Sequence, residues 1–108
     1  MNILALDPST KSTGIAIFQD DELLYYDCII ANDGNVFDRI NKMISGLRTI
    51  LDKFSIDKVY IEDVIPDDVK HNQQVYKVLV YLQGFILSAL HNYHLLPNFF
   101  TAPKNYYG

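Results

Sequence analysis

The chain has 108 residues, 49% of them apolar, and a formal net charge of −4, so it is large enough for one domain with a core and too short for two. The acidic balance argues against a passive nucleic-acid coat protein, which would neutralise phosphates with Lys and Arg, but carboxylates that hold divalent cations leave a nucleic-acid enzyme open. A single cysteine excludes an internal disulfide, and with neither a secretory signal nor a long apolar segment we expect a soluble, cytoplasmic protein with no membrane contact.

The first thirty residues predict a three-stranded meander. Apolar runs at residues 3–7 and 14–18 are separated by a polar turn, which indicates two buried strands joined by a loop. A polar tip at residues 19–22 leads to a third strand, residues 23–30, in hairpin relation to the second.

A first helix follows the break at Asp33-Gly34-Asn35, and either Asn35 or Asp33 can cap it. Its apolar residues recur at steps of three and four, which is typical of an amphipathic helix. They are Phe37, Ile40, Ile44, Leu47, Leu51 and Phe54.

The remaining elements are two short strands around a second helix. Residues 58–62 form a β-rich run, a helical stripe extends from about residue 73 to residue 93, and residues 95–100 resemble an edge strand because they contain Pro97. The predicted order is β-β-β-α-β-α-β, an α/β fold with a mixed five-stranded sheet and flanking helices.

Two carboxylates follow strands that this order makes neighbours. Asp7 ends the first strand and Glu62 ends the fourth, and sites form at the carboxyl ends of strands in α/β sheets. Two close carboxylates repel unless a cation lies between them, which favours Mg²⁺ or Mn²⁺. The alternative for Asp7 is a turn starter that bonds backbone amides, because Pro and Ser follow it. Asp63 is expected to point away from Glu62.

The histidines form no zinc pattern, because the chain has one cysteine and no HExxH arrangement. His71, His91 and His94 are therefore interpreted as surface or helix-end residues. Asp67 and Asp68 are interpreted as the exposed start of the second helix, where negative charge favours the helix dipole.

The second helix carries apolar residues outside its core stripe. They are Tyr76, Val80, Tyr81 and Leu87. Exposed apolar patches mark partner surfaces, so these residues predict a homodimer in which the helices pack about a two-fold axis. The alternative is that the last strand and the C-terminal segment cover them.

Three segments together resemble the RuvC-type Holliday junction resolvases, with phage and prophage members most similar. They are Asp7-Pro8-Ser9-Thr10-Lys11-Ser12-Thr13-Gly14, Val59-Tyr60-Ile61-Glu62-Asp63-Val64, and the long helix that begins near Asn72. The resemblance covers nearly all of the chain and includes residues 101–104. It implies a ribonuclease-H-like fold, a homodimer, and cleavage of four-way DNA junctions with two metal ions, Mg²⁺ or its substitute Mn²⁺.

Carried over to this sequence, the resemblance makes Asp7 and Glu62 the catalytic carboxylates and metal ligands. We also expect DNA contacts from Thr10, Lys11, Lys70 and Lys104. The chain departs from the family after Asp68, because no later residue is acidic. Family members continue into a helix that supplies further acidic ligands, so we expect residues 1–108 to be one domain that lacks this helix, with incomplete catalytic capacity.

Two other functions remain open. One is a non-catalytic, dimeric DNA-binding or scaffold module of the same fold. The other is a lobe of an actin-like ATPase, whose Ser/Thr/Gly-rich turn after the first strand meets phosphate through backbone amides. An ATPase needs a second lobe, for which 108 residues leave no room.

Overall fold

The computed structural model describes residues 1–63 and 73–101, which form a five-stranded sheet and two helices in the predicted order. The elements are β1 Asn2–Pro8, β2 Ser12–Gln19, β3 Glu22–Ile30, α1 Val36–Lys53, β4 Lys58–Glu62, α2 Gln73–Asn92 and β5 Pro97–Phe100. Asp67, Asp68 and His71 lie outside the described residues. Neither of the two described helices combines the length and apolar character needed to cross a membrane.

The strands follow one another across the sheet in the order β3-β2-β1-β4-β5. The β1–β2 and β2–β3 pairs are antiparallel, as hairpins require, and the β1–β4 and β4–β5 pairs are parallel. The predicted mixed sheet is therefore confirmed. Because α1 returns the chain to the far side of β1, β4 becomes the parallel neighbour of β1, with Leu6 beside Ile61.

The core lies on one face of the sheet. Successive strand residues point to opposite faces, and every buried strand residue belongs to the same alternating set. These residues are Leu4, Leu6, Thr13, Ile15, Ile17, Val59 and Ile61. Both helices contribute to the same cluster, so α1 and α2 pack side by side on this face. No described element covers the opposite face.

Helix α1 begins with the predicted Asn35 cap. The Asn35 side chain accepts a hydrogen bond from the Asp38 backbone N–H at 2.9 Å, and the Asp38 carboxylate accepts one from the Asn35 backbone N–H at 3.3 Å, which forms a capping box. The apolar stripe predicted for this helix is buried from Ile40 to Leu51, whereas its last member, Phe54, is half-buried and its first member is exposed. Phe37 is 62% exposed, because at this end of the helix its neighbours are surface residues of α2.

Helix α2 packs through a stripe whose buried members are Val78, Leu82, Ile86, Ala89 and Leu90. The helix ends close to the predicted position, and β5 begins at Pro97, where a missing N–H does least harm to strand pairing. Leu95 packs against the core, whereas Leu96 is 85% exposed. The last strand is thus two residues shorter than predicted.

Candidate active site

The two predicted carboxylates meet at one edge of the sheet. Because Leu6 pairs with Ile61 in the parallel β1–β4 ladder, Asp7 and Glu62 come next on the adjacent strands. Alternation turns both side chains to the face opposite the core. The two carboxyl groups lie close enough to share a hydrogen bond when one of them is protonated.

The environment of this pair favours one bound proton. Partial burial, together with the hydrogen bond to Glu62 and its negative charge, raises the pKa of Asp7 from 3.8 to about 6. A proton between two carboxyl groups relieves their repulsion, and a divalent cation would relieve it in the same way. Carboxylate oxygens are the donors that Mg²⁺ and Mn²⁺ prefer, so the residues present fit such an ion.

The surface beside the pair is shaped by small residues. Gly14 lies opposite Asp7 in the β1–β2 ladder, and a Cβ at Gly14 would stand 3.6 Å from the Asp7 Cβ. A cavity of about 330 Å³ lies beside Asp7. Its lining includes the small residue Ala16 and the aromatic residues Tyr26 and Phe100. Asp7 is therefore open to a ligand from the uncovered face.

The loop between β1 and β2 continues directly from the site. Its turn is closed by the Ser9 backbone N–H, which donates to the Ser12 carbonyl at 2.7 Å, and by the Ser9 hydroxyl, which donates to the same carbonyl at 2.9 Å. Within this loop Thr10 is half-buried and Lys11 is exposed. The two predicted DNA contacts in this turn, Thr10 and Lys11, therefore follow Asp7 by three and four residues.

Asp63 has a different role from Glu62. The Gln83 side-chain amide on α2 donates to the Asp63 carboxylate at 3.1 Å, and the Asp63 backbone N–H donates to the Phe100 carbonyl at 2.7 Å. Asp63 therefore faces the helix, as strand alternation predicts. Sequence reasoning missed Gln83, although a glutamine within an apolar helix was a visible signal.

The other predicted residues do not join this pair. Among residues 1–63 and 73–101, no three His, Cys, Asp or Glu side chains converge on a point that could hold a metal. His91 and His94 are exposed near the end of α2. Lys70 and Lys104 lie outside the described residues.

Comparison with known proteins gives one consistent family. The family model described as crossover junction endodeoxyribonuclease RuvC matches residues 3–104. Curated proteins of that name from two strains of Ehrlichia ruminantium are similar. The Gardel protein is 30% identical over 98 residues and the Welgevonden protein 29%, each match covering 83% of this chain. The chain spans 59% of the length of these relatives.

Solved structures support the fold. The structure of T. thermophilus RuvC in complex with Holliday junction substrate has a TM-score of 0.83 at 12% identity, covering 94% of this chain and 64% of that one. A second Thermus thermophilus RuvC structure has a TM-score of 0.72 at 16% identity, covering 94% and 62%. The predicted ribonuclease-H-like fold is thereby confirmed. An Aquifex aeolicus Ppx/GppA phosphatase shares it more distantly, with a TM-score of 0.51 at 14% identity, covering 94% of this chain and 36% of that one.

Proposed function

The chain belongs to the RuvC family of crossover junction endodeoxyribonucleases, and from this membership we propose that it is a metal-dependent, structure-specific DNA endonuclease directed at four-way junctions. The observation that carries the proposal is the placement of Asp7 and Glu62 side by side at the carboxyl ends of adjacent parallel strands. A cytoplasmic location stays a prediction.

Asp7 and Glu62 are the proposed ligands of Mg²⁺. When bound, the ion would supply Lewis-acid activation of a phosphodiester and of the attacking water. The two residues contribute fixed, negatively charged oxygen donors on rigid strands. Asp7 must lose its proton to bind the ion, so a pKa of about 6 makes protons compete with the metal in weakly acidic solution. With two carboxylates among the described residues, the other ligands must come from water, from DNA or from residues elsewhere.

The β1–β2 loop is the proposed DNA contact nearest to the site. Lys11 is exposed there and can approach a phosphate, and Thr10 stands beside it. Lys70 and Lys104 stay predicted DNA contacts and lie outside the described residues. The Thermus RuvC of the first solved structure is bound to a Holliday junction substrate, which supports branched DNA as the substrate class here.

Two observations help to distinguish the nuclease function from its alternatives. The Ppx/GppA likeness shows that the fold alone does not separate nucleases from other enzymes, but it covers only 36% of that protein. The sequence match to the RuvC family covers nearly the whole chain, which favours the nuclease over an ATPase lobe. A non-catalytic DNA-binding module remains the second candidate, because the described residues hold two carboxylates rather than a fuller set.

The function is tested with a synthetic four-way junction and a linear duplex of equal length. We expect selective binding of the junction and Mn²⁺-dependent cleavage that Asp7→Asn removes. Selective binding without cleavage, even at high Mn²⁺, would favour the non-catalytic module. Thermal stabilisation by ATP in the absence of any junction binding would favour the ATPase lobe.

We also propose a homodimer formed through the exposed side of α2. An apolar groove of about 560 Å³ lies between that helix and the start of α1. It is lined by Phe37, Val80, Tyr81, Gly84, Phe85 and Ser88. Val80 is 41%, Tyr81 50% and Phe85 40% exposed, a contiguous apolar patch of the kind that marks partner surfaces. Gly84 has no neighbour near its Cβ position, which leaves room for another helix.

The residues predicted for this surface from the sequence differ in their exposure. Leu87 is 37% exposed, as Val80 and Tyr81 are also exposed, whereas Tyr76 is half-buried. Sedimentation equilibrium at tens of micromolar should show a dimer, and Phe85→Glu should give a monomer. Leu96→Glu is the matched control, because Leu96 is 85% exposed and does not line the groove. A monomeric parent protein would overturn the proposal.

A further inference from the structure

Arg39 of α1 bonds to the two loops on either side of it, one of which follows Asp7. Arg39 is half-buried, and its guanidinium donates from Nε to the Thr10 carbonyl at 3.4 Å and from Nη1 to the Gly34 carbonyl at 3.3 Å. One side chain thus joins the loop that follows Asp7 to the loop that precedes α1. We propose that Arg39 is a positioning residue that fixes the β1–β2 loop for contact with DNA, an inference that rests on the function proposed above.

The loop has three kinds of support. The Ser9–Ser12 bonds close its turn from within, and the Ala31 backbone N–H donates to the Lys11 carbonyl at 2.7 Å. The third support is Arg39. Among the described residues, it is the side chain from outside the loop that donates a hydrogen bond to the loop. The Ala31 bond is a backbone contact available to any sequence, and the Ser9–Ser12 bonds lie within the turn itself, so Arg39 is the residue-specific support that comes from outside the loop.

The shape of the guanidinium explains why arginine serves here. Its planar fork presents several N–H donors in fixed directions, so two carbonyls can be held at once. A lysine at this position would offer one compact charge on a flexible stem and could not hold both carbonyls in the same geometry. Since Arg39 directs two of its donors at backbone carbonyls, its contribution differs from a direct phosphate contact.

Fixing the loop matters for the residue at its tip. Lys11 is exposed, and its ammonium group is carried on a flexible four-carbon side chain. If the backbone of the loop is held against α1, the Lys11 ammonium samples a smaller volume, at the edge where Asp7 and Glu62 lie. The phosphate that Lys11 binds is then held in a fixed relation to the carboxyl pair, which is the positioning that catalysis requires.

The first arm of the test needs no DNA. Arg39→Met keeps the apolar stem and removes the donors, and Arg48→Met is the matched control on the exposed side of the same helix. Hydrogen exchange by NMR should show faster exchange of the Ser9 and Ala31 amides in Arg39→Met, by roughly five- to tenfold for the loss of about one net hydrogen bond. Arg48→Met should leave both unchanged. Equal exchange in the parent protein and Arg39→Met would overturn the positioning role, whatever the protein binds.

The second arm is a double-mutant cycle with Lys11→Ala on junction binding. Arg39→Met should weaken binding by roughly tenfold alone and by less than about twofold in the Lys11→Ala background, because neighbours that act together are non-additive. Additive losses, with the salt dependence still reduced by about one phosphate contact, would show that Arg39 binds phosphate itself and would overturn the inference. A parent protein that binds no junction would refute the proposed function, while the exchange arm still decides whether Arg39 holds the loop.

Discussion

The two faces of the sheet differ in what their residues do. On the helix-covered face, Leu6 is 1% exposed and belongs to the core cluster. One residue later, on the open face, Asp7 is only partly buried and its carboxyl group lies beside that of Glu62. Because neighbouring residues of one strand point to opposite faces, stability and the proposed chemistry are interleaved along β1 rather than separated into regions. A substitution on one face should therefore leave the property of the other face intact.

Asp7→Asn gives the largest expected effect, and it falls on activity. The variant removes a proposed carboxylate ligand of the metal ion. Because metal stabilisation of a phosphoryl-transfer transition state is worth several kcal/mol, junction cleavage should fall by roughly 1000-fold or more. Junction binding should change little, since phosphate contacts are spared. Cleavage rates measure the loss of activity, and calorimetric Mn²⁺ titration measures the loss of metal binding. Cleavage by Asp7→Asn at the parent rate would end the assignment of Asp7 as a ligand.

Leu6→Ala tests the other face. Emptying this buried site should lower the free energy of unfolding by about 2–4 kcal/mol, as for other core Leu→Ala changes. Urea denaturation measures the loss. Leu96→Ala is the matched control, since that side chain is 85% exposed, and should change stability by less than about 0.5 kcal/mol. Equal losses in both variants would contradict the one-sided core.

The pH dependence of stability sharpens the contrast at Asp7. The folded state raises the pKa of this carboxyl from 3.8 to about 6, so it favours the protonated form. The stability that this proton provides is fully present below pH 3.8 and is lost as the pH rises through about 6. Without metal, Asp7→Asn should therefore become more stable than the parent above pH 6.

Solvent screening at this exposed position reduces that difference to about 1 kcal/mol. Thermal or urea unfolding of both proteins from pH 4 to pH 7.5, in the presence of a chelator, measures it. A stability difference that stays constant over this range would show that the Asp7–Glu62 pair does not hold a proton in the folded state.

Two glycines give the smallest expected difference. An added Cβ at Gly46, beneath the covered face, would stand 2.8 Å from the Ile29 side chain, whereas at Gly14 it would meet Asp7 at an ordinary 3.6 Å. Gly46→Ala should cost about 1 kcal/mol, since overpacking exceeds the gain in helix propensity, and Gly14→Ala should change stability by about 0.5 kcal/mol or less. The reverse order in urea denaturation would contradict the packing described for the two faces.

Much of the fold could be predicted from hydrophobic periodicity. The β4 strand, residues 58–62, has the predicted bounds, and the stripe of α1 is buried from Ile40 to Leu51. Phe37 is the exception, because periodicity describes a helix face but not what lies opposite each turn. The two helices also share one sheet face, which the order of elements alone left open.

The candidate site divides in the same way. The meeting of Asp7 with Glu62 followed from strand ends and a crossover, both readable in sequence. Gln83, which contacts Asp63, was signalled only by its place within an apolar helix. Arg39 could not be predicted from the sequence, because it acts across a tertiary contact with a backbone carbonyl of Thr10. Backbone carbonyls carry no sequence signal, so their partners emerge only from the folded chain.

The Asp63–Gln83 hydrogen bond has a consequence for the control of the site. Gln83 adjoins Gly84, which lines the apolar groove on α2, while Asp63 adjoins Glu62 of the carboxyl pair. A helix moves as a nearly rigid rod, so a partner seated on α2 would also set the position of the end of β4. Self-association and metal binding would then be thermodynamically linked, and linkage is reciprocal: the factor by which association tightens Mn²⁺ binding must equal the factor by which Mn²⁺ tightens association.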